Sequence, residues 1–277
     1  MGRRKQGLRV QKSQIVTKSA DKGGVVQSID RAMGLLQILG EDDEGYRLVD
    51  LAQSAGLPPS TTHRLLTTLE KRQFVQFDRE SGLWHVGVQC FAVGANFVRR
   101  RNVVVQARPF MRQLRDLAGE TVNLGVADQG EVVFLTQVES RELMRAIARP
   151  GGRSLMHCSG LGKALLAAMS EREVSEILHQ HGMRRMTAQS IVRPAKLHEA
   201  LEEIRGRGYA FDDEENAVGL RCVAAVIYDE YSNPLAGVSI AGPTARVSDR
   251  RIADLGKLVM RSALDITTAL GGRAPGH

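Results

Sequence analysis

The sequence predicts an α+β protein of two domains: a small helical unit closed by a hairpin, then a larger unit with helices around a mostly antiparallel sheet. Three observations carry that expectation. Two short helical patterns joined at Ala55-Gly56-Leu57 run into a hairpin signal, alternating apolar runs flank Asp128-Gln129-Gly130, and the chain closes on a long amphipathic helix. The length of 277 residues suits two domains of ordinary size, and 43% hydrophobic with 25% charged residues is the balance of a chain with buried cores. No stretch approaches the roughly 18 uninterrupted apolar residues of a membrane-spanning helix. The basic start MGRRKQGLRVQKSQ lacks the apolar segment of a secretory signal. Cys90, Cys158 and Cys222 lie far apart with no CxxC, which argues against a disulfide framework or a cysteine zinc site and fits the cytoplasm. No metal or cofactor is expected.

The net charge of +7 is unevenly placed. Residues 1–24 carry +6, residues 25–87 carry −3, and residues 88–105 carry +3 through Arg99, Arg100 and Arg101. The remainder is almost neutral. The first segment, polar and poor in aromatics, is expected to be a disordered basic tail. Residues 25–87 form the first folded unit. Ile29, Met33, Leu36 and Leu39 recur at helical spacing until Gly40 and the acidic loop Glu41–Glu44. Leu48, Leu51 and Ala52 mark a short second helix, Gly56 the tight turn, and Pro59 the first turn of a third helix reaching about Lys71.

On that third helix Thr62, Leu65, Leu66 and Leu69 share one side, while Ser60, Thr61, His63, Arg64 and Thr67 share the other. A purely solvated face carries more Glu and Lys. Hydroxyls and a guanidinium suit phosphate oxygens and base edges of double-stranded DNA. Two short helices, a glycine turn and such a face make a helix-turn-helix pattern. The strands Phe74–Phe77 and Leu83–Val86, around Ser81-Gly82, add a wing with Arg79 near its tip. Arg64, Lys71, Arg72 and Arg79 lie on this helix and wing, so local placement outweighs the unit's negative sum.

Residues 88–105 read as a linker helix, with a second helix from Pro109 to Leu117. Phe91, Val93, Phe97 and Val98 are more apolar surface than a solitary linker needs, so they are expected to meet a second subunit. The larger domain, residues 106–272, has strand patterns at Thr121–Ala127, Val132–Val138, Leu143–Ala148, Tyr209–Phe211, Val223–Tyr228 and Leu235–Ala241. Gly160–Met169 is a small-residue helix whose unpaired N–H groups offer a seat for a carboxylate. Ser170 with Glu173 forms a capping box, and Ser248 is the expected cap of a closing helix through Ile252, Leu255, Val259, Ala263 and Ile266. A cysteine hydrolase built on Cys222, His157 and Asp212 has no supporting nucleophile motif and is not expected.

The motifs AGLPPSTTHRLLTTLE and GLWHVG, then GETVNLGV, SGLGKALLA, GYAFDDEENAVGLRCVAAVIYD and GVSIAGP, resemble the IclR family of bacterial transcriptional regulators from about Val25 to Gly271. LPPSTTHRLLTT and FDDEENAVGLRC resemble its glyoxylate-responsive branch in particular. The resemblance implies a winged helix, a linker helix and a GAF-like effector-binding domain, assembled as homodimers that pair into tetramers. It also implies a small carboxylate effector, glyoxylate or a related 2-oxo acid, held by Gly160, Leu161, Asp212, Cys222 and Ser239. Two positions depart from the glyoxylate pattern. Leu161 stands where a smaller Ala is typical and should narrow the pocket, and Ala241 removes a hydroxyl. Leu143, Met144 and Met156 either wall the site or pack in the core.

Overall fold

A computed structural model of the chain describes residues 26–101, 103–143, 146 and 148–275, with the side chains of 95–101 left aside. The basic segment 1–24 therefore lies outside the described residues, as do the side chains of Phe97, Val98 and Arg99–Arg101. By contact density the chain divides between Phe97 and Val98.

The first unit packs helices α1 (Gln27–Leu39), α2 (Leu48–Ser54) and α3 (Pro59–Lys71) against the hairpin of β1 (Val75–Asp78) and β2 (Leu83–Val86). Its core is Leu35, Leu39, Leu51, Leu66, Val75 and Trp84. Helix α2 stops where the Gly56 N–H reaches Gln53 O and the Leu57 N–H reaches Ala52 O, at 3.2 and 2.9 Å. That paired closure requires a left-handed residue at position 56, and Gly56 has φ +63°. The hairpin pairs Val75 with Val86 and Asp78 with Leu83, and Tyr46 adds a bridge to Trp84. One expectation needs correction: Ile29 and Met33 are exposed, and α1 instead buries Leu35 and Leu39. The helix has two apolar stripes, and only one faces α2 and α3.

Helix α4 (Val88–Arg101) is followed almost at once by α5 (Val103–Ala118). The second helix thus begins six residues before Pro109, which sits inside it. Its missing N–H costs the helix about 3 kcal/mol in a buried interior. Val105, whose carbonyl loses its partner, is 63% exposed and can be hydrated. Val103, Ala107, Met111, Leu114 and Ala118 are all buried on one stripe running past the proline. Each such burial contributes on the order of 1–3 kcal/mol, so packing overrides the local break.

The second unit is built on an antiparallel sheet of β3 (Thr121–Asp128), β4 (Glu131–Val138), β5 (Arg153–Leu155), β6 (Ala210–Asp213), β7 (Leu220–Tyr228) and β8 (Pro234–Pro243), in the order β5-β4-β3-β8-β7-β6. Alternation assigns its faces. Val122, Leu124, Val223, Val238 and Ile240 pack against α5 and the closing helix α9 (Asp249–Ala269). Between β5 and β6 run α6 (Gly160–Ala167), α7 (Glu171–His181) and α8 (Pro194–Arg207). Leu161, Leu165, Leu197 and Leu201 of α6 and α8 cover the other face with Val132 and Ala224. The capping box at Ser170 and Glu173 is formed. Ser248 occupies the cap of α9, but its side chain makes no capping hydrogen bond.

The described residues of Leu143–Ala148 do not form the strand expected there. Leu143 is 99% exposed and, like Ala146 and Ala148, stands outside any strand, while Met144, Arg145 and Ile147 fall outside the described residues. The partner of β4 is β5, through Val132↔Ser154.

Candidate functional site

On α3 the burial pattern separates two faces. Thr62, Leu66 and Leu69 are buried, whereas Ser60, His63 and Arg64 are exposed and Thr61 and Thr67 half-buried. Arg79, Lys71 and Arg72 are exposed as well. The hydroxyls are not equivalent. Thr67 Oγ1 donates to His63 O at 2.9 Å, so it faces outward as an acceptor. Thr62 Oγ1 is likewise spent on Pro58 O. The His63 ring meets Trp84 edge-on, centroids 6.5 Å apart at 87°, which ties the helix face to the wing. Helix α3 and the wing therefore present Ser60, Thr61, Arg64 and Arg79 on a rigid support.

In the second unit, a cavity of about 280 Å³ opens on the sheet face that α6 covers. Gly160, Leu161, Asp212, Cys222 and Ser239 all line it. Topology explains the gathering: Asp212 pairs with Cys222 across β6 and β7, and Ala224 of β7 pairs with Ser239 of β8, which faces Asn123 of β3. All project to the face opposite the α5–α9 core. The N-terminus of α6 ends on this row. Ser159 caps it, accepting from Gly162 N at 3.2 Å and donating to Leu155 O at 2.8 Å. The Ser239 hydroxyl is buried, and its one polar neighbour on this row is the Cys222 thiol, a weak hydrogen-bond partner. A hydroxyl so weakly held at the edge of a cavity is available to a polar ligand.

Two features of the row depend on glycine or on close fit. A Cβ at Gly160 would lie 2.8 Å from Cys222 Sγ, so the helix start rests directly on the thiol. Leu161 does line the cavity, yet its methyls reach the sheet: a Cβ at Gly237 would fall 2.7 Å from Cδ2, and one at Gly125 3.5 Å from Cδ1. Gly237 accommodates the larger side chain, whereas the bare backbone at Gly125 makes room chiefly for Val132. Ala241 also lines the cavity and brings no hydroxyl.

Charge beside the cavity is paired internally. Lys163, 3% exposed, gives its ammonium to the Glu215 carboxylate and to Phe211 O at 2.6 Å. Asp212 Oδ1 accepts from Glu215 N at 2.8 Å. Burial, with the Glu215 charge beside it, pushes the Asp212 carboxyl up to about 7, against the pull of Lys163. Burial also raises Glu215. The thiols of Cys222 and Cys158 are pushed up to about 12, mainly by burial and then by the Asp212 charge. His157 Nε2 lies 3.0 Å from Arg184 O, in contact with that carbonyl. A thiol this resistant to ionisation is no nucleophile, which removes the hydrolase arrangement.

Met156 packs in the α6–α8 core, one of the two places expected for it, whereas Leu143 points to solvent and fits neither. Met144 lies outside the described residues. Asn123, Phe134, Ser154 and Asn216 line the cavity without having been singled out in the sequence. Gln137 fixes this wall, donating to Asn123 Oδ1 at 3.1 Å and to Ala146 O at 3.3 Å. One signal was available: Lys163 is the only charged residue in the helix GLGKALLA, and a buried cation requires a buried partner.

Comparison with known proteins follows the same division. Residues 28–79 match the IclR helix-turn-helix domain and residues 95–268 the bacterial transcriptional regulator IclR C-terminal domain. The chain is 44% identical over 256 residues to the transcriptional repressor IclR of Escherichia coli, covering 92% of this chain and 93% of that protein. It is 45% identical over 251 residues to the acetate operon repressor of Salmonella typhimurium, covering 90% and 92%. The crystal structure of the Thermotoga maritima IclR superposes with a TM-score of 0.74 at 27% identity, over 89% of this chain and all of that one. With both domain models matched in order and relatives aligned almost end to end, the chain belongs to the IclR family of bacterial transcriptional regulators.

Proposed function

We propose that this regulator is a transcriptional repressor that binds operator DNA through α3 and the wing, and that its second domain senses a small carboxylate, glyoxylate or a related 2-oxo acid. The observation that carries the sensing role is the cavity itself. A helix N-terminus, a buried hydroxyl held only by a thiol and a carboxyl raised by burial converge on one cavity. The names of the aligned repressors support the direction of control. Ser60, Thr61, His63, Arg64 and Thr67 read the operator, with Arg79 on the adjacent backbone.

The active form is a homodimer that pairs further into tetramers. Val26, Ile29 and Met33 on α1 and Val88, Phe91 and Val93 on α4 are each about half or more exposed, which is apolar surface a second copy would bury. The acid binds one arrangement of the effector domains more tightly than another, and the linker α4 passes that preference to the spacing of the paired winged helices. A two-carbon acid leaves part of the cavity to water, since about 280 Å³ equals roughly nine waters at ~30 Å³ each. That volume supports a second reading in which the effector is a longer or aromatic acid.

The test is a titration of the full chain onto its promoter DNA with and without glyoxylate, pyruvate and longer acids. Salt-sensitive, sequence-selective binding that one of these acids alters supports the proposal. Binding to all DNA alike, or unaltered by every acid, overturns it.

A further inference from the structure

The helix seat and Asp212 open on the same cavity. An acid seated there would bring a second carboxylate into the cavity that Asp212 lines. Two carboxylates sharing such a space do not both stay ionised. Among the described residues, the charges nearest Asp212 are engaged with one another. Lys163 of α6 is held by Glu215, in the turn after β6, and by Phe211 O. Cys222 of β7 and Cys158 in the turn before α6 remain neutral thiols. His157 in that same turn is engaged with Arg184 O. Asp213 on the same strand is paired with Arg221, and Arg153 near the β5 side of the cavity is held by Asp128 and Glu131. Arg149 also lines the cavity, beyond β4.

We propose that Asp212 enters the complex as the neutral acid and donates its proton to a carboxylate oxygen of the effector, so that each filled site takes up one proton from solvent. This rests on the small-acid reading of the same cavity. Burial carries it: the Glu215 and Asn216 N–H groups both reach the Asp212 carboxyl and favour its anion, but the Lys163–Glu215 pair beside it neutralises itself and burial outweighs the two hydrogen bonds. The free carboxyl titrates close to pH 7, so the proton is half in place before the ligand arrives. Below that pH, affinity for a monoanion should be flat. Above it, affinity should fall by about tenfold per pH unit, because each binding event must first fill an empty proton site.

The experiment is calorimetry of the full chain with glyoxylate and with pyruvate, at about pH 6 and about pH 8, in buffers of differing ionisation enthalpy. At the higher pH the heat should scale with buffer enthalpy with a slope near one proton taken up, falling toward zero at the lower pH. Asp212→Asn, which keeps the acceptor for Glu215 N but cannot ionise, should remove both the slope and the pH dependence and bind more tightly than the native chain at about pH 8. Binding without proton uptake at the higher pH overturns the inference and leaves the cavity reading standing. Proton uptake that persists in Asp212→Asn also overturns it, by placing the proton elsewhere. If Asp212→Asn fails to fold, the native buffer series decides alone. No heat from either acid at either pH overturns the small-acid reading and this inference with it.

Discussion

Gly160 and Cys222 are in direct backbone-to-thiol contact: a Cβ at position 160 would lie 2.8 Å from Sγ and 3.2 Å from the Cys222 carbonyl oxygen. The start of α6 is therefore held to β7 by the absence of a side chain. Gly160→Ala should displace the helix N-terminus, lower stability by about 1–3 kcal/mol and abolish acid binding. Adding Cys222→Ala should recover part of the stability, measured by urea unfolding, because it removes the atom that collides. A single variant as stable as the native chain would contradict the contact.

The Ser239 hydroxyl separates stability from function, because its partner on the row is only the Cys222 thiol. Ser239→Ala should weaken binding of the titrated acid while changing the stability of the unliganded protein by less than about 1 kcal/mol in urea unfolding. Unchanged acid binding would take the hydroxyl out of the site.

Lys163 and Glu215 form a buried ion pair, 3% and 8% exposed at their side chains. Lys163→Met strands a carboxylate in the α6 layer and should cost about 3–5 kcal/mol. The double variant Lys163→Met, Glu215→Leu should regain most of it. Thermal unfolding of the two single variants and the double one gives the coupling directly.

For DNA, Arg64→Ala should weaken operator binding by about 1–3 kcal/mol and relax selectivity at one base position. Arg79→Ala should weaken binding to all sequences alike and flatten the salt dependence. Both effects are read in gel-shift titrations at several salt concentrations. Thr67→Val should lose less than Ser60→Ala, since the Thr67 hydroxyl already donates to His63 O.

Much of this was legible before any coordinates, and for local reasons. The hairpins announce themselves through Ser81-Gly82 and Asp128-Gln129-Gly130, and the recognition helix through Gly56, Pro59 and a polar face. The gathering of Asp212, Cys222 and Ser239 was legible only through the family's motifs, because β6, β7 and β8 bring them together across register pairs that no spacing encodes. Where local pattern misled, tertiary packing had decided. Pro109 sits inside α5 because a buried stripe runs past it, and Ile29 and Met33 face outward because α1 carries two apolar stripes. Helix α8 lies outside the sequence-based expectations, although Pro194 in its first turn and Gly208 just past its end, at φ +84°, are ordinary start and stop marks.

The seat beneath Leu161 makes positions 161 and 237 one unit of inheritance. A leucine at 161 lies where a Cβ at 237 would fall, and one added there would push its methyl aside. Shrinking 161 alone would leave a hollow over the sheet instead of a roomier site. Any redesign of which acid this regulator answers to must therefore change the two positions together.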